Sequence, residues 1–240
     1  MESPTPSRAR VMLVLDKSGS MGVDSWDHDQ NANTATVTRW SVLRNVLGAV
    51  LPAHDDALEL GAQLYPSKAA TSDYSSAACP VAAPEVPVDS HNAASVLAAI
   101  PVANDVTIKG GQPTATALRS ATDELLAQGG SSPRYIVLVA DGAANCMAGA
   151  PDTTSLFEDY DTDAIDAALD AYAAGIPTFV LGVNASVFPA GNVKDGNPDG
   201  VAASDTLAEL ADAGGTDYVN AYTQTELQSA YDGFLEASRY

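Results

Sequence analysis

Positive charge is what this chain has least of. Only 11 lysines and arginines stand against 31 aspartates and glutamates in 240 residues, a formal net charge of −20. A field of that sign repels phosphate backbones and anionic lipid while drawing cations to the surface, so nucleic acid and acidic membranes are excluded as partners. The acids are scattered rather than blocked, and most of them read as a solubilising surface. Long apolar runs are missing as well, since none approaches the roughly 20 residues that span a bilayer. The opening MESPTPSRAR has no apolar stretch of the signal-peptide kind. Residues 1–8 read as a linker at the edge of a longer exported chain, and residues 9–240 as one domain.

Histidine and cysteine are also scarce. The histidines, His28, His54 and His91, all lie in the first half and show no zinc spacing, so they read as solvated side chains. The two cysteines, Cys79 and Cys146, each sit in a Pro/Ala/Gly-rich segment, a context that favours an exposed disulfide over two independent free thiols. A bridge of that span would contribute on the order of 4 kcal/mol by the chain-entropy model and would imply an oxidising compartment.

What the chain does have is apolar side chain, 46% of its residues, enough for a sizeable core. Apolar runs alternate with amphipathic segments. Residues 10–16, 57–65, 134–141, 177–183 and 216–221 read as strands. Residues 39–51, 113–128, 162–175, 204–215 and 223–238 carry apolar positions at three and four spacing and read as helices, the last with Thr225 as its N-cap. This alternation predicts an α/β fold, doubly wound around a mainly parallel sheet with helices on both faces. The unbroken runs Val11–Leu15 and Ile136–Val139 suit strands buried on both sides. Residues 22–38, 67–90 and 184–203 interrupt the pattern, and irregular segments of that length tend to be functional.

Ligands of such sheets bind beyond the carboxyl ends of the strands, and the two most apolar strands end in Asp16 and Asp141. The loop after the first, Asp16-Lys17-Ser18-Gly19-Ser20-Met21-Gly22, allows three chemistries. A phosphate loop requires GxxxxGK[ST], which is absent. A serine-hydrolase elbow requires a glycine where Ser18 stands and a late histidine, and none follows residue 91. Metal ligation fits best. Asp16, Ser18 and Ser20 alternate along an extended segment and point the same way, with Gly19 and Gly22 allowing the turn and Lys17 read as a solvated charge.

The string DKSGS resembles the D-x-S-x-S loop of von Willebrand factor type A domains, whose metal-ion-dependent adhesion site takes further ligands from a distant Thr and Asp. Gly110-Gly111-Gln112-Pro113-Thr114 resembles the family's G-G-T-P-T loop opening a helix, and Ala140-Asp141-Gly142 resembles its T-D-G turn. The likeness continues through AGIPTFVLGV, LAELADAGGT and the closing helix. It implies a Rossmann-like sheet with one antiparallel edge strand and an ion held by Asp16, Ser18, Ser20, Thr114 and Asp141. Gln112 and Ala140 stand where the family usually has Thr, at positions that do not normally coordinate.

All-oxygen ligands in small number favour Mg²⁺, with Ca²⁺ or Mn²⁺ next. The resemblance implies binding rather than catalysis. A protein or matrix ligand would offer a Glu or Asp carboxylate to the ion, on an exported or cell-surface bacterial protein. An intracellular scaffold subunit beside an ATPase is the alternative. Asp195-Gly196-Asn197-Pro198-Asp199-Gly200 also matches the first half of a calcium loop, but Thr206 stands at the twelfth position instead of Glu. Asp195, Asn197 and Asp199 are thus candidate ligands of a second ion or members of a plain turn. Asp27, Asp29, Asn31 and Asn33 read as a solvated loop.

Overall fold

A computed structural model describes residues 8–23 and 25–239 of the chain. The linker expected over residues 1–8 therefore lies outside the described residues, except for Arg8.

Among the described residues, eight strands and eight α-helices follow in order: β1 (Ala9–Asp16), α1 (Gly19–Val23), β2 (Ser25–Trp26), β3 (Val37–Thr38), α2 (Arg39–His54), β4 (Leu58–Tyr65), β5 (Val86–Ser90), α3 (Ala93–Ala99), α4 (Thr114–Ala127), β6 (Arg134–Ala140), α5 (Thr153–Glu158), α6 (Asp163–Ala173), β7 (Thr178–Val183), α7 (Ala203–Ala213), β8 (Tyr218–Ala221) and α8 (Gln224–Ala237). Six strands form one sheet in the order β5-β4-β1-β6-β7-β8. All its pairings are parallel except β4 with β5, the antiparallel edge.

The period of two in β1 divides the core. Val11, Leu13 and Leu15 pack with residues of α2, α3 and α8 on one face, including Leu47, Val96 and Tyr231. Met12 and Val14 face α4, α6 and α7 on the other, where Leu118, Ala168 and Leu210 meet them. Both sets are fully buried, as an apolar run in a two-sided sheet requires. Because β4 lies on one side of β1 and β6 on the other, the chain's winding reverses beside β1. That reversal opens a crevice at the carboxyl ends, where Asp16 and the residue after β6, Asp141, come to lie.

The three irregular segments hold more order than their composition suggests. Residues 22–38 include the short β2–β3 pair. Residues 67–90 include a 3-10 turn at Ser76–Ala78 and the edge strand β5. Two isolated bridges, Pro189 with Ala202 and Ala190 with Asp199, fasten residues 184–203. The last helix is capped by Thr223 rather than Thr225. The Thr223 side chain accepts from Glu226 N and the Glu226 carboxylate accepts from Thr223 N, a reciprocal box that Thr225 sits too far along to form.

Candidate metal centre

The strand end fixes the first carboxylate. Asp16 is fully buried, and its Oδ1 accepts from Ser18 N at 2.7 Å. Ser20 does not lie on an extended segment, as the alternation argument expected. It stands in the first turn of α1, and the hydroxyls converge because the chain coils there: Ser18 Oγ and Ser20 Oγ are 3.0 Å apart. Ser20 Oγ then donates to Asp141 Oδ1 at 2.8 Å. Asp141 Oδ2 lies 3.4 Å from Arg39 Nη1, an ion pair contributed by the first residue of α2. Thr114 opens α4, is 2% exposed, and donates to Gln112 O at 3.3 Å.

Tyr65, at the end of β4, is buried, and its hydroxyl donates to Val139 O at 3.1 Å. Burial raises its hydroxyl pKa, and the carboxylates of Asp16 and Asp141 raise it further, while a hydrogen bond with Thr114 acts the other way. The Asp16 carboxyl is itself pushed well above the usual range, first by burial and then by the charge of Asp141, against hydrogen bonding from Ser18 and from the Asp141 backbone. Asp16 Oδ2 is buried with no hydrogen-bond partner among the described residues. A desolvated carboxylate with an open oxygen, a second carboxylate close by and three hydroxyls around them form an all-oxygen donor set that fits a hard divalent cation. Among the described residues no cluster of three or more His, Cys, Asp or Glu side chains is placed to hold an ion. An ion here would therefore rest on two carboxylates and be completed by hydroxyls.

The glycines of the loop pack closely rather than turn. A Cβ on Gly22 would come 2.7 Å from Ile108 Cγ2, and one on Gly19 would come 3.3 Å from Asp73 Oδ1. The left-handed backbone falls instead at Gly110, with φ +109°, whose carbonyl accepts from Gly19 N at 3.0 Å. Lys17 is not solvated. Its side chain is fully buried, and its Nζ donates to Thr107 O at 2.6 Å and Lys109 O at 3.2 Å, so it ties β1 to the loop before Gly110. Burial lowers its pKa to about 8, opposed by the charges of Asp16 and Glu85.

Asn145 is the residue that sequence reasoning missed. It is 1% exposed and its Oδ1 accepts from Gln112 N at 2.7 Å. Asn145 N donates to Gln112 O at 3.0 Å and Asn145 Nδ2 to Gly196 O at 2.9 Å, so one side chain joins three rim segments. Its signal was only its place beside Cys146, which has the unusual φ of +71° for a residue with a side chain. Gln112, with its amide nitrogen turned toward the rim, donates to Gly142 O and Ala143 O at 2.9 Å. That replaces whatever hydrogen bond a threonine would make there. Cys79 and Cys146 are bridged, with Cα atoms 5.7 Å apart. The bridge packs on Phe157, which stacks with Tyr74 at 4.7 Å.

The acidic run at residues 195–200 forms a turn over this rim. Asn197 N donates to Asp195 Oδ1 at 3.0 Å, Gly196 N to Glu158 Oε1 at 3.0 Å, and Asp199 N to Glu158 O at 2.7 Å. Asp195 and Asn197 also border both hollows that flank Ser20. The run at Asp27–Asn33 hydrogen-bonds to itself on the surface, with Asp29 accepting from Asn31 N and Thr34. His54 departs from the solvated reading: it is 2% exposed, far from Ser20 in the chain, and bonded to Asp232 and Arg239. His91 is exposed and pairs with Asp56.

A family model, von Willebrand factor type A domain, matches residues 11–232. Among solved structures, the conserved hypothetical protein BatB from Bacteroides thetaiotaomicron is similar with TM-score 0.61 and 20% identity, covering 95% of this chain and 97% of that one. The pilus adhesin SpaC from Lactobacillus rhamnosus GG, in its open conformation, gives TM-score 0.65 at 12% identity, with 98% of this chain on 30% of the adhesin. The PilB minor pilin from Streptococcus sanguinis gives TM-score 0.60 at 16% identity over 99% of this chain and 63% of the pilin. At these identities the likeness establishes the fold. No curated protein matches the sequence.

Proposed function

The chain belongs to the von Willebrand factor type A domain family, and from that premise we propose that it is a protein-binding domain whose rim is a metal-ion-dependent adhesion site. Asp16, Ser18, Ser20, Thr114 and Asp141 are the proposed ligands. Mg²⁺ is the first choice and Ca²⁺ or Mn²⁺ the alternatives, since the donors are oxygens and few. Bound there, the ion supplies a Lewis-acidic position for one outside carboxylate.

The chain's own residues do the rest. Asp16 and Asp141 bring two negative charges into a site shielded from water, where attraction for a cation is strongest. Ser18, Ser20 and Thr114 add neutral oxygens, which leaves positive charge uncancelled for the partner's Glu or Asp. Ser20 is hydrogen-bonded to Ser18 and Asp141 rather than to a base of hydrolase kind, so binding is the better reading than turnover. The observation that carries the proposal is Asp16 Oδ2, a buried carboxylate oxygen left open beside a second carboxylate.

An extracellular or cell-surface setting is proposed on two supports. The Cys79–Cys146 bridge suits an oxidising compartment, and two of the similar structures are a pilus adhesin and a minor pilin. No helix among the described residues is long and apolar enough to cross a membrane.

Calorimetric titration tests the site. Wild-type protein is expected to bind one Mg²⁺ or Mn²⁺, and Asp16→Ala and Thr114→Ala to weaken binding at least about 100-fold, or about 2.7 kcal/mol. Absence of heat with Mg²⁺, Mn²⁺ and Ca²⁺ alike, or unchanged binding in both variants, overturns the reading. A second equivalent of Ca²⁺ that is lost in Asp195→Ala would assign Asp195, Asn197 and Asp199 to an ion as well.

A further inference from the structure

Residues 184–203 are irregular yet firmly tied. Ala185 N donates to Asn220 Oδ1 at 3.0 Å, Asn220 Nδ2 returns a bond to Ala185 O at 2.9 Å, and Ala190 N donates to Val201 O at 2.9 Å. The turn at Ser186–Phe188 is closed twice, with Ser186 Oγ donating to Phe188 O at 3.0 Å and Phe188 N to Ser186 Oγ at 3.1 Å. This fixed segment nevertheless holds apolar side chains in water: Phe188 is 75% exposed, Val193 57% and Val187 48%. A loop that merely closed the fold could turn such residues inward, whereas here the tethers hold Phe188 out.

Phe188 lines a hollow of ≈ 240 Å³ together with Ser20, Asp141 and Arg39. Pro189 and Val201 extend its apolar side. The hollow is thus continuous with the candidate metal centre and mixed in lining, with Ser186, Asp195 and Asn197 beside the apolar residues and Arg39 paired to Asp141 Oδ2 at 3.4 Å. Its size suits one large side chain rather than a whole element.

We propose that this hollow is a specificity pocket for an extended peptide segment of the partner, and that it receives a large apolar side chain two residues from the acidic one. The inference rests on the metal-centre reading above, because the acid supplies the anchor. The spacing follows from strand geometry. In an extended peptide, side chains at i and i+2 share a face and stand about 7 Å apart, so an acid held at the rim presents its second neighbour, and not its first, to the adjoining hollow. Charge complementarity points the same way. Arg39 favours the carboxylate side of the peptide, while Phe188, Pro189 and Val201 offer the apolar remainder a surface already in water.

Three capped peptides test this, each measured by fluorescence anisotropy in saturating Mg²⁺: GGEGGGG as the bare acid, GGEGFGG, and GGFGEGG for the opposite chain direction. At least one Phe peptide is expected to bind about tenfold tighter than the bare acid, and Phe188→Ser to remove that gain. Phe188→Ser is expected to leave calorimetric Mg²⁺ binding as it was, because Phe188 is not among the proposed ligands. If Mg²⁺ binds but both Phe peptides match the bare acid, or none of the peptides binds, the pocket is overturned while the metal centre stands. If no divalent ion binds, the metal-centre reading itself fails. Dimerisation of the free protein that Phe188→Ser abolishes would give the pocket to a second copy of the chain and would also overturn the proposal.

Discussion

Two of the places where this molecule buries ionisable side chains are finished differently. At the end of α2, His54 is 2% exposed, with Nε2 2.6 Å from Asp232 Oδ1 and Nδ1 2.9 Å from Arg239 Nη2. Both ring nitrogens have partners, one from α8 and one just beyond it, and Arg239 is paired again with Glu236 at 3.0 Å. At the end of β1, Asp16 is buried just as deeply, but one of its oxygens has no hydrogen-bond partner among the described residues and the charge of a second carboxylate, Asp141, works against its own. The first cluster closes on itself and holds a helix in place. The second carries the electrostatic cost of an open position.

The contrast can be broken at either end. The largest effect is expected from replacing both Cys79 and Cys146 with serine, which frees the rim's two flanking segments and should cost on the order of 4 kcal/mol in denaturant unfolding. The same variant should bind Mg²⁺ more weakly. Unaltered affinity would show that the rim keeps its shape without the bridge. Next, His54→Ala leaves Asp232 and Arg239 without their shared partner and should cost about 2 kcal/mol, discounted because Asp232 is 60% exposed. Its Mg²⁺ affinity should match wild type, and a changed affinity would mean that the two clusters are coupled.

The smallest effect is the sharpest test. Asp16→Asn keeps an acceptor for Ser18 N but removes the buried charge, so in EDTA it should stabilise the protein by about 1 kcal/mol. Thermal unfolding with and without Mg²⁺ reads this directly. Wild type should gain from the ion and the variant should not, and a variant less stable than wild type in EDTA would place Asp16 among structural groups like His54.

The sheet was legible because its central strands have nothing but apolar side chains to bury, and the period of two then assigned each to a face. The edge strand was expected from the resemblance but not placed, because Val86-Pro87-Val88-Asp89-Ser90 lies in the segment 67–90 that reads as irregular. Pro87 is tolerated there since β5 is an edge, with Val86 and Val88 buried and Pro87 exposed. Helices α3 and α5, seven and six residues long, are too short to carry a period. At the rim, the residues singled out by spacing and by resemblance, Asp16, Ser18, Ser20, Thr114 and Asp141, lie at the ends of β1 and β6 and the start of α4, although the local coil that brings the serines together was misread. Lys17 was misjudged for a general reason. Lysine is almost always solvated, and only the two carbonyls across the loop, Thr107 O and Lys109 O, make its burial tolerable. Asn145 had no motif at all, because its role depends on three segments meeting in space.

That meeting has a practical side. Gln112, Gly196 and the turn after β6 are all fastened to Asn145, while residues 184–203 are tied at their start to β8 through Asn220 and Ala221. The segment over the rim is thus pinned at known points. An engineer could exchange residues 186–203 for a loop of another recognition preference, keeping the Asn220 bonds and a backbone carbonyl in reach of Asn145 Nδ2, and leave the strands that hold Asp16 and Asp141 untouched.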